Sequence, residues 1–303
     1  MITLPALAAE ALGSFLASDM KDRFGSSHAR LAELIPFAAR LALECIGNSD
    51  ALYHNVEHTM LVTLVGHDIF KGRALSQRLT PTDYSNFIVA CLAHDIGYVR
   101  GVVKGDKDDG YVVDGAGRKI SLPRGSSDAA LAPYHVERSK LFVLDRFAAV
   151  EEVDSARIAR AIEFTRFPYA SPTDETEDEQ GIDELGSLLR AADLIGQLGD
   201  PHYLRKANAL YYEFEEIGLN RQLVTSRRRT SSINIRNFIG TTSLRTSRPL
   251  SITSMLPRVG VGGLQASTAT YFVRSVSCAF RGHSGKSRHA NGGRPDRADE
   301  VIE

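Results

Sequence analysis

The stretch YHNVEHT, residues 53–59, decides how this chain is read: His54 and His58 stand four apart, with an asparagine and a glutamate between them. Positions four apart on a helix lie one above the other, so the spacing predicts two imidazoles aimed at one place. Surface helices rarely need so many imidazoles and amides together. The pair therefore reads as half of a site, and the other half should lie elsewhere in the chain.

Two further segments supply it. AHDIG, residues 93–97, brings His94 and Asp95 to the end of an apolar stretch, where Gly97 lets the chain turn. Adjacent helical residues diverge by about 100°, so both reach one point only if it lies beside the helix end. RAADLIGQLGD, residues 190–200, sets Asp193 in a strongly apolar helix at a position that ought to be core. A buried aspartate is costly unless it is paired or bound to a metal. His58, His94, Asp95 and Asp193 thus predict a mixed imidazole–carboxylate pocket. Such ligands suit Mn, Fe, Mg, Ni, Co or Zn better than a metal selected by thiolates.

Other candidates carry less. GHDIF, residues 66–70, repeats the doublet at His67 and Asp68 but has no partner motif. His202, after Asp200-Pro201 at a helix start, reads as a surface or capping residue. Tyr211 and Tyr212 read as packing, with lining a base pocket as the alternative.

Up to about residue 220 the pattern is helical. Residues 29–47 repeat apolar positions at three and four and stop at Gly47, a second helix begins near Tyr53, and a third follows LTPTD with Thr80 or Thr82 as cap. KGDKDDGYVVDGAGRKISL, residues 104–122, is charged and glycine-rich, with YVV and KISL flanking DGAG; it predicts a small β-hairpin inserted at about 104–124. Helices resume through residues 127–147, 153–165 and 183–199. A last one has Asp200 as N-cap and Pro201 at its first position.

The 303 residues are 43% hydrophobic, enough for a sizeable core. No apolar run reaches the roughly 18 residues of a membrane span, and the N-terminus lacks the basic lead-in of a signal peptide. Cys45, Cys91 and Cys278 form neither a disulfide framework nor a zinc knuckle. These features predict a cytoplasmic protein.

A net charge of -1 hides a division near Leu223. Residues 224–303 hold 13 Lys or Arg against 4 Asp or Glu, and no acid occurs from Val224 to Pro295. The segment is rich in Ser, Thr, Arg and Gly, with no sustained period. Two readings stand: a disordered basic tail that touches nucleic acid or anionic lipid, or translation out of frame. The second is favoured, because the segment keeps its Ile, Leu, Val and Phe while its acids are absent rather than scarce.

In order and on helices, YHNVEH, AHDIG and AADLIG resemble the H…HD…D signature of the HD-domain metal-dependent phosphohydrolases. The form Tyr-His-Asn-x-x-His is similar to the opening motif of the cyclic nucleotide phosphodiesterase branch. The resemblance covers about residues 28–217. It implies an all-α HD-type helical bundle over residues 1–223, with the hairpin as insertion and an irregular C-terminal tail. It also implies that His58, His94, Asp95 and Asp193 are metal ligands and that His54 donates a proton to the leaving oxygen. Two-metal members usually carry HDxxHxG, whereas this chain has Tyr98 after HDIG. His135, in PYHVERSK, is the remaining candidate for a second metal or a phosphate contact. Lys104, Arg124 and Arg166 are further candidates for holding phosphate charge.

The chemistry is coherent without the resemblance. A divalent cation polarises a phosphoryl oxygen and generates hydroxide near neutral pH. Asp95 is placed to hold that nucleophile, and His54 to protonate a departing alkoxide. The expectation is hydrolysis of a small phosphate ester, a nucleotide phosphomonoester or phosphodiester, with no membrane partner. The rivals are a metal- or nucleotide-binding sensor without turnover, and nucleic-acid binding through the basic segment.

The frame reading is checked on the coding DNA. A single-base indel near the codon for Leu223 should restore a continuation with acids and aromatics, ending near the codon for Arg281. Early stop codons in that frame would sink it.

Overall fold

The computed structural model describes residues 2–166 and 184–221; the basic segment 224–303 lies outside them. The described chain is all-α with one small hairpin, as the periodicity indicates. No helix in it is long and apolar enough to cross a membrane.

Helix α1 (Leu4–Phe24) pairs with α2 (Ala29–Ile46). A Cβ on Gly13 would come within 2.7 Å of the Pro36 Cα, so glycine sets how closely the two helices approach. Next come α3 (Val56–Arg73) and α4 (Pro81–Ala93). A reciprocal capping box between Thr80 and Asp83 starts α4. From Tyr84 to Ala93 every residue of α4 is buried. This central helix packs against α2, α3, α6 (Ser155–Glu163) and α7 (Glu184–Leu198). Its apolar run has no polar face because neighbours surround it.

After α4 the chain turns through a short 3-10 segment, Ile96–Tyr98, and enters the insertion. The hairpin is smaller than its sequence suggests: Tyr111–Val112 pairs with Lys119–Ile120, with Tyr111 opposite Ile120. The Asp114 carboxylate accepts from the Ala116 and Arg118 amides, and Gly117 takes a positive φ of 78° to close the turn.

One buried ion pair ties this insertion to the bundle. Arg138, on α5 (His135–Arg146), is fully buried. It donates from Nε to the Gly97 carbonyl (2.7 Å) and from its terminal nitrogens to the carbonyls of Val112 (2.6 Å) and Val99 (2.8 Å). The same nitrogens meet both Asp106 oxygens at 3.1 and 2.9 Å. Asp106 in turn accepts from the amides of Gly101, Val103 and Val112. Gly97 itself lies under the first turn of α5: a Cβ there would come within 2.0 Å of the His135 carbonyl oxygen.

Two helix starts differ from the sequence reading. Helix α3 begins at Val56, because the Asn55 side chain accepts from the Glu57 and His58 amides and acts as N-cap. His54 therefore stands before the helix rather than one turn below His58. Helix α8 (Tyr203–Glu216) begins two residues later than expected, with the exposed His202 as N-cap; Asp200 still accepts from the His202 amide at 2.7 Å.

Arg138→Met should lower stability by about 3–5 kcal/mol, because it leaves Asp106 buried without its counter-charge. Urea denaturation followed by circular dichroism measures this. A loss under about 1 kcal/mol would show that the pair is not holding the insertion.

Candidate metal centre

The predicted ligands converge. His58 reaches in from the first turn of α3, His94 from the C-cap of α4, Asp95 from the next residue and Asp193 from the middle of α7. His58 Nε2 lies 3.3 Å from Asp95 Oδ2 and 3.4 Å from Asp193 Oδ1. His94 Nε2 lies 3.0 and 3.8 Å from the same two atoms. His58, His94 and Asp95 are buried, whereas Asp193, expected in the core, keeps about 16% of its side chain exposed. Close helix packing produces the convergence: Gly196 of α7 rests on the Val62 backbone of α3, and Gly66 of α3 rests on Cys91 of α4.

Three buried atoms at the centre, His58 Nε2, His94 Nε2 and Asp95 Oδ2, have no hydrogen-bond partner despite facing one another. His94 is oriented by its other nitrogen, since Nδ1 lies 2.8 Å from the Cys91 carbonyl and donates to it. That leaves the Nε2 lone pair pointing at carboxylate oxygens, which repel it unless positive charge lies between. Protons or a cation must supply that charge. Without a cation, protons are held tightly. Burial depresses His58, but the carboxylates of Asp193 and Asp95 outweigh it and raise its pKa to about 9. Burial likewise depresses His94, and Asp95 outweighs it. Asp95 is held well below the usual range: burial pushes it up, and His94, His54 and His58 pull it down further.

The residues fit a divalent cation. With bonds of about 2.1 Å, ligand atoms around a first-row ion stand about 3.0 Å apart in an octahedron and about 3.4 Å apart in a tetrahedron. The contacts here run from 3.0 to 3.8 Å. Among the described residues, two groups could hold an ion: His58, His94 and Asp193, and His54, His58 and Asp95.

A second ring of side chains surrounds the first. His54 places Nδ1 2.5 Å from Glu213 Oε2 on α8. Glu213 is buried, and its other oxygen accepts from the Tyr53 and His54 amides at 2.6 and 3.3 Å. Burial raises its pKa, but His54 and these amides outweigh that and hold the carboxylate ionised. His135 puts Nε2 3.7 Å from Asp95 Oδ1, and its Nδ1 donates to the Ala132 carbonyl at 2.5 Å. Between these imidazoles lies Tyr98, its ring 4.4 Å from His54 and 4.5 Å from His135. Burial, with Asp95, Glu213 and Asp193 nearby, keeps the Tyr98 phenol protonated far above its ordinary range.

Other expected residues are placed elsewhere. Arg166 is engaged by Glu163 and, at 3.7 Å, by Glu137. Lys104 and Arg124 are exposed on the loops around the hairpin. His67 is buried against the Tyr84 hydroxyl (2.9 Å), a packing role between α3 and α4. Tyr211 and Tyr212 are exposed. Sequence reasoning misses Glu213. Its one signal is an acid three residues after Leu210, on the only face α8 buries.

A family model described as Npun_R2479-like matches residues 5–240. The chain belongs to the Npun_R2479-like family. The match takes in both ligand-bearing halves of the site and residues 224–240. No curated protein and no solved structure matches the chain.

Proton competition gives the centre a pH signature. His58 has a folded-state pKa raised from 6.5 to about 9, so its ion pairs stabilise the metal-free protein fully below about pH 6.5. That contribution is lost as pH rises through about 9. A cation must displace the proton, so apparent affinity for Mn2+ or Zn2+ should climb with pH up to about 9 and then level. Titration against a chelator with a known pH dependence measures this, and a flat profile would exclude His58 as a ligand.

Proposed function

We propose that this chain is a metal-dependent phosphohydrolase of the HD type, acting on a small phosphate ester such as a nucleotide. The observation that carries the proposal is the trio of buried, partnerless atoms at His58, His94 and Asp95, with Asp193 beside them. Two imidazoles and two carboxylates drawn from α3, α7 and the end of α4 meet there at 3.0 to 3.8 Å, the spacing of ligand atoms around one ion. The order of the motifs, with YHNxxH first, supports the phosphohydrolase reading over other metal chemistry.

When bound, a divalent cation supplies Lewis-acid polarisation of a phosphoryl oxygen and makes water acidic enough to attack near neutral pH. His58, His94, Asp95 and Asp193 would hold it. Asp95 turns its second oxygen, Oδ1, away from that cluster and toward His135, where it can orient the attacking water. His54 is built as an acid. Glu213 accepts a hydrogen bond from its Nδ1–H and fixes the ring, leaving Nε2 to deliver a proton to the departing alkoxide. Tyr98 and Tyr53 pack against the His54 ring and fix its plane.

Metal analysis and a panel of phosphomonoesters and phosphodiesters test the reading on the full chain. Asp193→Ala should lose the metal with helix content intact; a full metal complement in that variant would dismiss the ligand set. His54→Ala should keep the metal while turnover falls by about 10²- to 10⁴-fold. Glu213→Gln should keep it too and lose about 10- to 100-fold. A metal-loaded protein that hydrolyses nothing in the panel would favour a sensor without turnover.

A further inference from the structure

We propose that helix α8 is a lid over the metal centre, held shut mainly by charged contacts and able to open while the rest of the bundle stays folded. The inference rests on the metal-centre reading above and concerns how the centre is reached.

Among the described residues the centre is closed. His58 Nε2, His94 Nε2 and Asp95 Oδ2 are buried atoms. Around them, the side chains of His54, His135 and Asp193 are only 15, 14 and 16% exposed. A phosphate ester that is to meet an ion there has to pass a wall, so one wall must move. Three walls, α3, α4 and α7, are locked by close packing at Gly66 and Gly196. A fourth, α5, is fixed by the buried pair of Arg138 and Asp106.

Helix α8 is built differently. Its only buried residues are Leu210 and Glu213, while Leu204, Tyr211 and Tyr212 face outward and are exposed. A helix of about four turns owes most of its stability to an apolar face packed on the fold, and one buried leucine is a small face. Charge supplies the rest at three points. Lys206 Nζ reaches Glu57 Oε1 at 2.7 Å. Glu213 accepts from the amides of Tyr53 and His54 and from the His54 ring. Glu216 accepts from the Ser127 amide at 2.7 Å and from the Ser127 hydroxyl. All three partners border the site. Glu57 precedes the ligand His58, the His54 and His58 rings stand 5.5 Å apart, and Ser127 caps the 3-10 segment Asp128–Tyr134 that leads to His135.

Such contacts open more easily than a packed core. If α8 swings away on the Gly199-Asp200-Pro201 connection to α7, Glu213 and Glu216 pass into water together with the groups they leave. No charge is stranded, and protein hydrogen bonds are exchanged for water at a modest net cost. Elements held in this way open locally far more often than the whole fold unfolds. Opening removes every hydrogen bond from Glu213 to residues 53 and 54, which uncovers the His54 ring and, beside it, His58.

Hydrogen exchange and histidine labelling of the full chain test the lid, and neither readout needs turnover. Amides of residues 207–216 should exchange at least about 100-fold faster than those of residues 84–93. Glu216→Ala removes both bonds from Ser127, so it should raise exchange in α8 by about 10-fold and leave residues 84–93 unchanged. Glu216→Gln keeps an acceptor for Ser127 and should fall between wild type and Glu216→Ala. Carbethoxylation of His54 by diethyl pyrocarbonate, followed by peptide mass spectrometry, should quicken in the same order. Equal exchange in α8 and α4 would overturn the inference, and so would a Glu216→Ala chain in which both loosen alike. Faster exchange in α8 with His54 labelling unchanged would show a helix that frays without uncovering the site, and would overturn it as well. Each of these outcomes leaves the metal-centre reading standing, whereas a chain that takes up neither Mn2+ nor Zn2+ removes that reading whatever the labelling shows.

Discussion

Everything in this fold is arranged around the cost of burying Asp95. Its carboxylate is about 5% exposed, at the end of a helix that is apolar on all sides. Such a charge survives only where positive charge meets it. Two imidazoles, His58 and His94, provide that meeting at 3.3 and 3.0 Å from α3 and the end of α4, while His135 on α5 stands 3.7 Å from the other oxygen. Helices α3, α4 and α7 must therefore approach closely, and small residues at Gly66 and Gly196 permit it. The same crowding that makes the cluster possible leaves its inner atoms without hydrogen bonds. Packing and a metal-shaped cage are one solution to one electrostatic problem.

The second constraint is geometric. The chain must turn within three residues after Asp95 and then admit the first turn of α5, so that His135 can reach Asp95. Gly97 makes the approach possible because nothing larger fits beneath the His135 carbonyl. Arg138 makes it permanent by taking the carbonyls of Gly97, Val99 and Val112, which the irregular chain would otherwise leave unsatisfied. The hairpin is thus joined to the site through one guanidinium. Its small two-residue strands contribute little by themselves.

Much of this is legible in the residues. Helical periodicity with Gly47, Thr80 and the turn around Gly117 yields elements close to those observed, because local caps and turns decide them. The four ligand positions are legible because an aspartate or histidine in an apolar helix is costly to bury unless a charge partner or a metal meets it. Glu213 is hidden because its partner is 159 residues away and no local pattern marks such a pairing. Spacing alone puts His54 on the helix of His58, whereas the Asn55 cap starts that helix at Val56, two residues after His54. Helix α1 has a weak signature because apolar residues lie on its exposed side as well, at Leu4, Leu7 and Phe15. The grip of Arg138 is invisible in ERSK, where nothing local distinguishes a buried arginine from a solvated one.

The two imidazoles beside Tyr98 also show how environment divides labour between like residues. His54 and His135 stand 6.5 Å apart on the same cluster. Behind His54 is a buried carboxylate; behind His135 is a backbone carbonyl, which fixes a tautomer without adding charge. Burial depresses the pKa of His135, and the pull of Asp95 does not restore it. One ring is therefore oriented by a carboxylate, and the other stays neutral toward Asp95. That asymmetry comes from α8, the last described helix, so the orientation of His54 depends on the chain reaching Glu213 and docking it. The proposed ligands are complete by Asp193, 20 residues before the carboxylate that orients His54.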